Sequence, residues 1–278
     1  METPKDLGKE FPSVVDRAYT QYKLDLTRYR EVKEIMSCDV VTTTPEATLD
    51  ETATVMGEKH IGSLIVVKYD TPVGMITERD LLSNVLARGK DLREEKVERV
   101  MSYPLITICS TAQIKEAAQT MIKKKGKLAV FECGKLVGII TASDLIRTLP
   151  EAPETVVKVD DFMTKQIKTA DEKTPVSSIA KIMGEKRIGS VIITSKGKTK
   201  GIFTERDLLT KFLAKDKSLS ALVAEACSSP LITIPLGISV HMAAYTMASK
   251  HIRRLPIAKD DKLVGIVTAR DLVEAYAK

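Results

Sequence analysis

An α/β protein built from four copies of one strand-helix-strand-strand-helix unit, arranged as two pairs, is predicted by three observations. The first is an internal repeat. Gly74-Met75-Ile76-Thr77-Glu78-Arg79-Asp80-Leu81 returns as Gly138-Ile139-Ile140-Thr141-Ala142-Ser143-Asp144-Leu145, as Gly201-Ile202-Phe203-Thr204-Glu205-Arg206-Asp207-Leu208 and as Gly265-Ile266-Val267-Thr268-Ala269-Arg270-Asp271-Leu272. The glycines are 64, 63 and 64 residues apart, and self-similarity at a fixed period marks a repeated structural unit. The second is a change of period within the unit: Leu49, Ala53 and Met56 recur at helical spacing, and the compact run Gly62-Ser63-Leu64-Ile65-Val66-Val67 then reads as a buried strand. The third is that the copies are not equally alike. Met56-Gly57-Glu58-Lys59-His60-Ile61-Gly62-Ser63 matches Met183-Gly184-Glu185-Lys186-Arg187-Ile188-Gly189-Ser190, and Pro104-Leu105-Ile106-Thr107-Ile108 matches Pro230-Leu231-Ile232-Thr233-Ile234. Unit one resembles unit three, and unit two resembles unit four. A lone α/β unit of about 60 residues is marginal, so each pair is expected to share one core.

Along the chain, residues 1–31 precede the repeats. Phe11 to Tyr29 spaces Val14, Val15, Ala18, Tyr22, Leu24 and Leu26 among polar residues, which predicts an amphipathic helix packed on the body. The units are expected at 32–90, 97–149, 157–216 and 222–278. In the first, Val40-Val41-Thr42 is a short extended run, and Pro45 to Glu51 reads as a turn and helix start. After the strand at 62–67, Tyr69-Asp70-Thr71-Pro72 turns the chain into a second strand, Val73 to Thr77, and Asp80-Leu81-Leu82 begins a helix. Pro150-Glu151-Ala152-Pro153-Glu154 is the expected linker between the pairs.

Composition narrows the function classes. The 278 residues are 44% hydrophobic and 29% charged, as in ordinary globular proteins. No apolar run approaches the ~20 residues of a membrane helix. Met1-Glu2-Thr3-Pro4-Lys5-Asp6 lacks the pattern of a signal peptide, so a soluble, cytoplasmic protein without membrane contact is expected. Cys38, Cys109, Cys133 and Cys227 form no C-x-x-C pair and do not recur between units, which argues against a metal or disulfide framework. The net charge of +6 suits an anionic partner. Single-stranded nucleic-acid binders stack bases on aromatic side chains, and this chain has no tryptophan and five phenylalanines, so nucleic acid is disfavoured.

Two recurrent features carry candidate chemistry. The Thr-x-x-Asp elements Thr77/Asp80, Thr141/Asp144, Thr204/Asp207 and Thr268/Asp271 end a strand and start a helix. They are close to capping boxes, which need no ligand, although the box prefers Glu or Gln at its last position. They also place a hydroxyl, a carboxylate and helix amides at a strand end, where α/β proteins bind ligands and where an acid can hold ribose hydroxyls. The second feature is positive charge before the long strand. His60, Lys124, Arg187 and His251 each stand four residues before its first large apolar residue. Immediately before that residue the units diverge: Gly62-Ser63 and Gly189-Ser190 in the odd units, Gly126-Lys127 and Arg253-Arg254 in the even ones. Cations entering a core strand suggest a placed anion contact. The histidines do not read as catalytic, since Lys or Arg fills the slot of His60 and His251 elsewhere. No nucleophile elbow, Walker lysine, metal-ligand spacing or dinucleotide glycine fingerprint is present, so an enzyme is not expected.

These residues resemble the cystathionine-β-synthase (CBS) repeat family, in which repeats pair as Bateman modules. The resemblance covers nearly everything after residue 31 and rests on the Met-x-x-x-Val/Ile opening, the Leu-Val-Gly-Ile-Val/Ile-Thr strand (Leu136 to Thr141, Leu263 to Thr268) and the closing Asp-Leu. Four such units in one small chain are similar to the nucleotide-binding gamma-type regulatory subunit of AMP-activated protein kinase and to stand-alone archaeal proteins. The resemblance implies adenosyl ligands in clefts between paired repeats. It gives the ribose to Asp80, Asp144, Asp207 and Asp271, and the phosphate neighbourhood to Thr77, Thr141, Thr204 and Thr268, with Arg79, Arg206 and Arg270 of the same elements joining the ligand set. It gives the adenine to Val40-Val41, Ile167-Lys168, Leu105-Ile106 and Leu231-Ile232. Lys127 and Arg254, with Arg253 beside it, take the phosphate. Asp80 and Asp207 would then borrow Lys127 or Arg254, whereas Asp144 and Asp271 would face Ser63 or Ser190 and less positive charge.

The function expected from this reading is a sensor. AMP, ADP, ATP or a dinucleoside polyphosphate acts as regulatory ligand, no catalytic cofactor is needed, and the signal passes to a protein effector or through a homodimer. The competing readings are a nucleic-acid-binding or scaffold protein using a basic face, and a sensor of S-adenosylmethionine or NAD.

Overall fold

The computed structural model describes residues 31–148 and 157–278. The helix expected at Phe11 to Tyr29 and the linker expected at 150–154 lie outside these residues. Each unit has the expected order. Unit one contains β1 (Thr42–Thr43), α1 (Leu49–Glu58), β2 (Ser63–Lys68), β3 (Thr71–Thr77) and α2 (Glu78–Asn84). Unit two contains β4 (Thr107–Cys109), α3 (Ile114–Lys124), β5 (Leu128–Glu132), β6 (Lys135–Ile140) and α4 (Ala142–Arg147). Unit three contains β7 (Thr169–Asp171), α5 (Val176–Lys186), β8 (Ser190–Ser195), β9 (Lys198–Thr204) and α6 (Glu205–Lys211). Unit four contains β10 (Ile234–Pro235), α7 (Val240–Ser249), β11 (Arg254–Lys259), β12 (Lys262–Thr268) and α8 (Ala269–Ala277).

In every unit the short opening strand runs parallel to the long strand, which pairs antiparallel with the third. The hairpins turn on two residues of positive φ, such as Tyr69 (49°) and Asp70 (58°), the mirror-image turn that matches strand twist. Thr71 and Pro72 therefore already belong to β3, not to the turn. Proline is tolerated there because β3 is a sheet edge. The opening strands start later than expected: Val40-Val41, Leu105-Ile106, Ile167-Lys168 and Leu231-Ile232 all precede the strand of their unit.

Those segments precede the strands because the chain first crosses to its partner unit. Ser37 bridges to Ile139, Ser102 to Met75, Thr164 to Ile266 and Ser228 to Ile202, so each unit's entry lies beside the third strand of the other unit in its pair. The repeated glycine makes this approach possible. A Cβ on Gly74 would stand 2.8 Å from the Ser102 carbonyl oxygen, and one on Gly138 2.9 Å from Met36 Cγ. A 3-10 turn precedes each entry, at Val32–Glu34, Val97–Arg99, Val159–Asp161 and Val223–Glu225, and its valine is fully buried against the partner unit. Val32 donates its amide to Ala112 and Val97 donates to Ala47.

The two pairs then join through helices, odd unit to odd and even to even. Leu209 of unit three packs in the core of unit one, and Leu82 of unit one in that of unit three. Gly57 faces Ala214 and Gly184 faces Ala87, each so closely that no Cβ fits. Units two and four share one core through Ala117, Ala118, Ala243, Ala244 and Leu272. The likeness of unit one to three and of two to four thus coincides with which units touch across the pairs.

Candidate functional site

All four Thr-x-x-Asp elements are capping boxes. In each, Oδ2 of the aspartate accepts from both the amide and the hydroxyl of the threonine; at Asp144 the distances are 2.8 and 2.7 Å. Aspartate does the work of the usual Glu because the threonine hydroxyl also turns to the carboxylate and shortens the span. The cap uses one oxygen, which leaves Oδ1 to separate the four sites. At Asp207 it is taken: Lys211 Nζ lies 2.6 Å away, and Ser228 Oγ donates at 3.2 Å. Burial pushes the carboxyl of Asp80 up, and that of Asp271 likewise, against the hydrogen bonds from Thr77 and Thr268 that hold it down.

Two cavities lie at the aspartates of the even units. One, of about 420 Å³, is lined by Thr268, Arg270 and Asp271 together with Ile167, Lys168 and Ser190 of unit three. The other, of about 330 Å³, is lined by Asp144 and Arg147 together with Val41 and Ser63 of unit one. In each, an even-unit aspartate meets the entry segment and the Gly-Ser of its odd partner. The cavities converge: Gly62, Lys127, Thr141, Ser143 and Arg253 border both.

The convergence is a charged centre built on two buried carboxylates, Glu78 and Glu205. Arg254 Nη2 donates to Glu205 at 2.6 Å and Arg79 Nε to the same carboxylate at 3.1 Å. Arg253 Nη2 donates to Glu78 at 3.2 Å, and Arg206 Nε lies 3.9 Å from it. Lys127 Nζ donates to the Gly62 carbonyl at 2.7 Å. Burial pulls the Lys127 ammonium down from its ordinary 10.5 to about 8, with Arg253 and Arg206 opposing its charge and Glu78 and Glu205 supporting it. Burial alone would raise the Glu205 carboxyl, but Arg254 and Arg79 hold it below the ordinary range. Glycine at 62 and 189 makes room: a Cβ on Gly62 would stand 2.9 Å from the Glu78 carboxylate, and one on Gly189 would strike the Arg254 guanidinium.

The expected site residues are distributed as follows. The cavities at Asp144 and Asp271 are not poor in positive charge. Arg253, Arg254, Lys168 and Arg187 border the Asp271 cavity: Arg254 meets Glu205 of its own pair, and joining the pairs carries Arg253 to Glu78 of unit one. Arg254 was expected to serve Asp207 and stands on the Asp271 cavity. Thr77 and Arg79 border the first cavity and Arg206 the second, whereas Thr204, Asp80, Asp207, Val40, Leu105, Ile106, Leu231 and Ile232 border neither. Val40 and Leu105 pack between the sheets of the first pair, and Ile232 is exposed. The basic slot is a left-handed helix end: His60, Arg187 and His251 all have φ of 53°. In unit two Lys125 (57°), not Lys124, holds it, since α3 runs one residue further. His60 and His251 border the second cavity all the same. Sequence reasoning passed over Glu78 and Glu205. Their signal was the replacement of these glutamates by Ala142 and Ala269 in the even units.

No cluster of His, Cys, Asp or Glu among the described residues is arranged to hold a metal ion, and no described helix is long and apolar enough to cross a membrane. The CBS domain profile matches residues 32–87, 97–151, 159–214 and 223–278. Uncharacterized protein MJ1404 of Methanocaldococcus jannaschii is 31% identical over 88% of this chain, and MK0525 of Methanopyrus kandleri 37% over 45%. The chain spans 62% and 65% of the lengths of these two relatives. The crystal structure of MJ1225 from M. jannaschii, described as a proposed archaeal homolog of g-AMPK, superposes with a TM-score of 0.73 at 23% identity, covering 88% of this chain and 99% of that one. An uncharacterized conserved protein from Pyrococcus horikoshii superposes at 0.61, with the same identity and coverage.

Proposed function

The chain belongs to the CBS-domain family, and we propose that it is a non-catalytic regulatory protein that binds an adenine nucleotide in the cavities at Asp144 and Asp271. The observation that carries this reading is the convergence of both cavities on one cationic centre. Each cavity offers an aspartate at a helix start for ribose and an entry segment of the partner unit for the base. Between them lie guanidinium groups, which match phosphate in geometry and charge. The likeness in fold to a protein described as a homolog of g-AMPK supports AMP, ADP or ATP as the ligand class. A nucleotide bridging units of different pairs alters a partner only through unequal affinity for two arrangements of those pairs, and the helix interfaces of unit one with three and of unit two with four are where such arrangements would differ. The exposed free thiols of Cys38, Cys109 and Cys133 suit a reducing, cytoplasmic setting.

The experiment is a calorimetric titration with AMP, ADP, ATP, S-adenosylmethionine and NAD, run beside Asp144→Asn/Asp271→Asn and Asp207→Asn proteins. Binding that falls about tenfold or more in the first variant, and little in the second, is the expected result. Equal binding of a polynucleotide and ATP, both lost steeply with salt, would instead favour the basic-face reading.

A further inference from the structure

Glu78 and Glu205 do something in this centre that the nucleotide reading alone does not require. Ala142 and Ala269 occupy the matched positions in the even units, so the fold of a unit does not need the carboxylate. Glu78 is 8% exposed and Glu205 7%, and both border the larger cavity. Each stands between two arginines: Glu205 between Arg254 and Arg79, Glu78 between Arg253 and Arg206. The Glu78 Oε1 atom is buried without a hydrogen-bond partner. A buried carboxylate with an unsatisfied oxygen is costly, and here the guanidiniums of Arg253 and Arg206 hold it in a space that faces a cavity.

We propose that Glu78 and Glu205 are resident counter-anions of a polyphosphate site, and that a polyphosphate chain displaces them from the four arginines. Carboxylate and phosphate are recognised by the same guanidinium donors, so the two compete for one set of hydrogen bonds. The guanidiniums form two carboxylate-bridged pairs, Arg253–Glu78–Arg206 and Arg254–Glu205–Arg79. A single phosphate replaces one carboxylate and leaves the other in place. A chain of phosphoryl groups reaches both pairs, and the buried Lys127 between them regains its full charge beside it. The two glutamates thereby set how many phosphates a ligand must carry. This inference rests on the nucleotide reading of the cavities, but its probe carries no nucleoside.

The probe is inorganic tripolyphosphate, titrated into the full chain at physiological ionic strength and compared with orthophosphate. Glu78→Gln and Glu205→Gln proteins are set against Glu94→Gln, which removes an exposed carboxylate outside the centre. The cluster variants are expected to bind tripolyphosphate about tenfold tighter than the parent, with a smaller gain for orthophosphate, while the control moves less than about twofold. Equal or weaker binding in both cluster variants overturns the proposal. Should Glu205→Gln fail to fold, Glu78→Gln carries the test, since Glu78 accepts one hydrogen bond, from Arg253, where Glu205 accepts two. ATP supplies the distinction: ATP no tighter than tripolyphosphate defeats the nucleotide reading alone, whereas tight ATP binding that ignores both glutamates defeats this proposal alone.

Discussion

Gly189 lies directly beneath the guanidinium of Arg254, and a Cβ at that position would collide with it. The glycine of unit three is thus the space through which unit four reaches Glu205. Gly189→Ala should drive Arg254 off its 2.6 Å contact and leave a buried carboxylate with one arginine fewer. The expected loss is about 2–4 kcal/mol of stability, read from urea denaturation. Gly134→Ala, at a surface turn with open space around it, should cost less, since only its positive φ of 79° is at stake.

The junction of units one and three makes a second expectation. Gly57 meets the Cβ of Ala214 with no room for a side chain. Gly57→Ala should destabilise the protein by about 1–3 kcal/mol, and Ala214→Gly in the same chain should restore most of that. Additive losses in the double variant would mean that the two positions do not touch.

Lys127 links stability and binding to pH. The folded protein holds its proton more weakly than the unfolded chain does, at about 8 against 10.5. Below pH 8 both states carry the charge and the contribution is flat. As pH rises from 8 toward 10.5 the folded state sheds the proton first, so stability from this group increases, by about 2–4 kcal/mol over the window. Lys127→Met should remove that rise, so the difference in ΔG between variant and parent should narrow in the parent's favour as pH climbs. Phosphate binding opposes the burial cost, so it should take up a proton near pH 8.5 and weaken above it, which calorimetry in buffers of different ionisation heat detects.

Asp207 differs from Asp144 in a way that mutation can expose. Lys211 holds its Oδ1 at 2.6 Å and also donates to the Ala226 carbonyl at 2.7 Å. Lys211→Ala should take the cation off that oxygen, leaving only Ser228 Oγ at 3.2 Å on it, and open a further adenosine site, raising calorimetric stoichiometry, at a cost of about 1 kcal/mol in stability. Unchanged stoichiometry would show that the Asp207 site is closed by more than this lysine.

The sequence by itself determined the unit, its four-fold recurrence and its pairing, because these follow from local periodicity and from spacing that any reader can count. It also marked Asp80, Asp144, Asp207 and Asp271 alike, with Lys127, Arg253 and Arg254, since a polar residue that recurs beside a core strand stands out against its apolar neighbours. Tertiary structure alone decided which aspartates border the two cavities described, Asp144 and Asp271. It also decided that Lys211 meets Oδ1 of Asp207, and that joining the two pairs brings Arg253 of unit four across to Glu78 of unit one. Contacts between residues 49 to 175 positions apart leave no period in the chain, and the left-handed backbone of His60, Arg187 and His251 gave their positive charge a helix-end explanation that composition could not separate from a ligand's. The repeated glycine belongs to both levels: its recurrence was written in the sequence, and its reason, the passage of the partner unit's backbone, exists only in the fold.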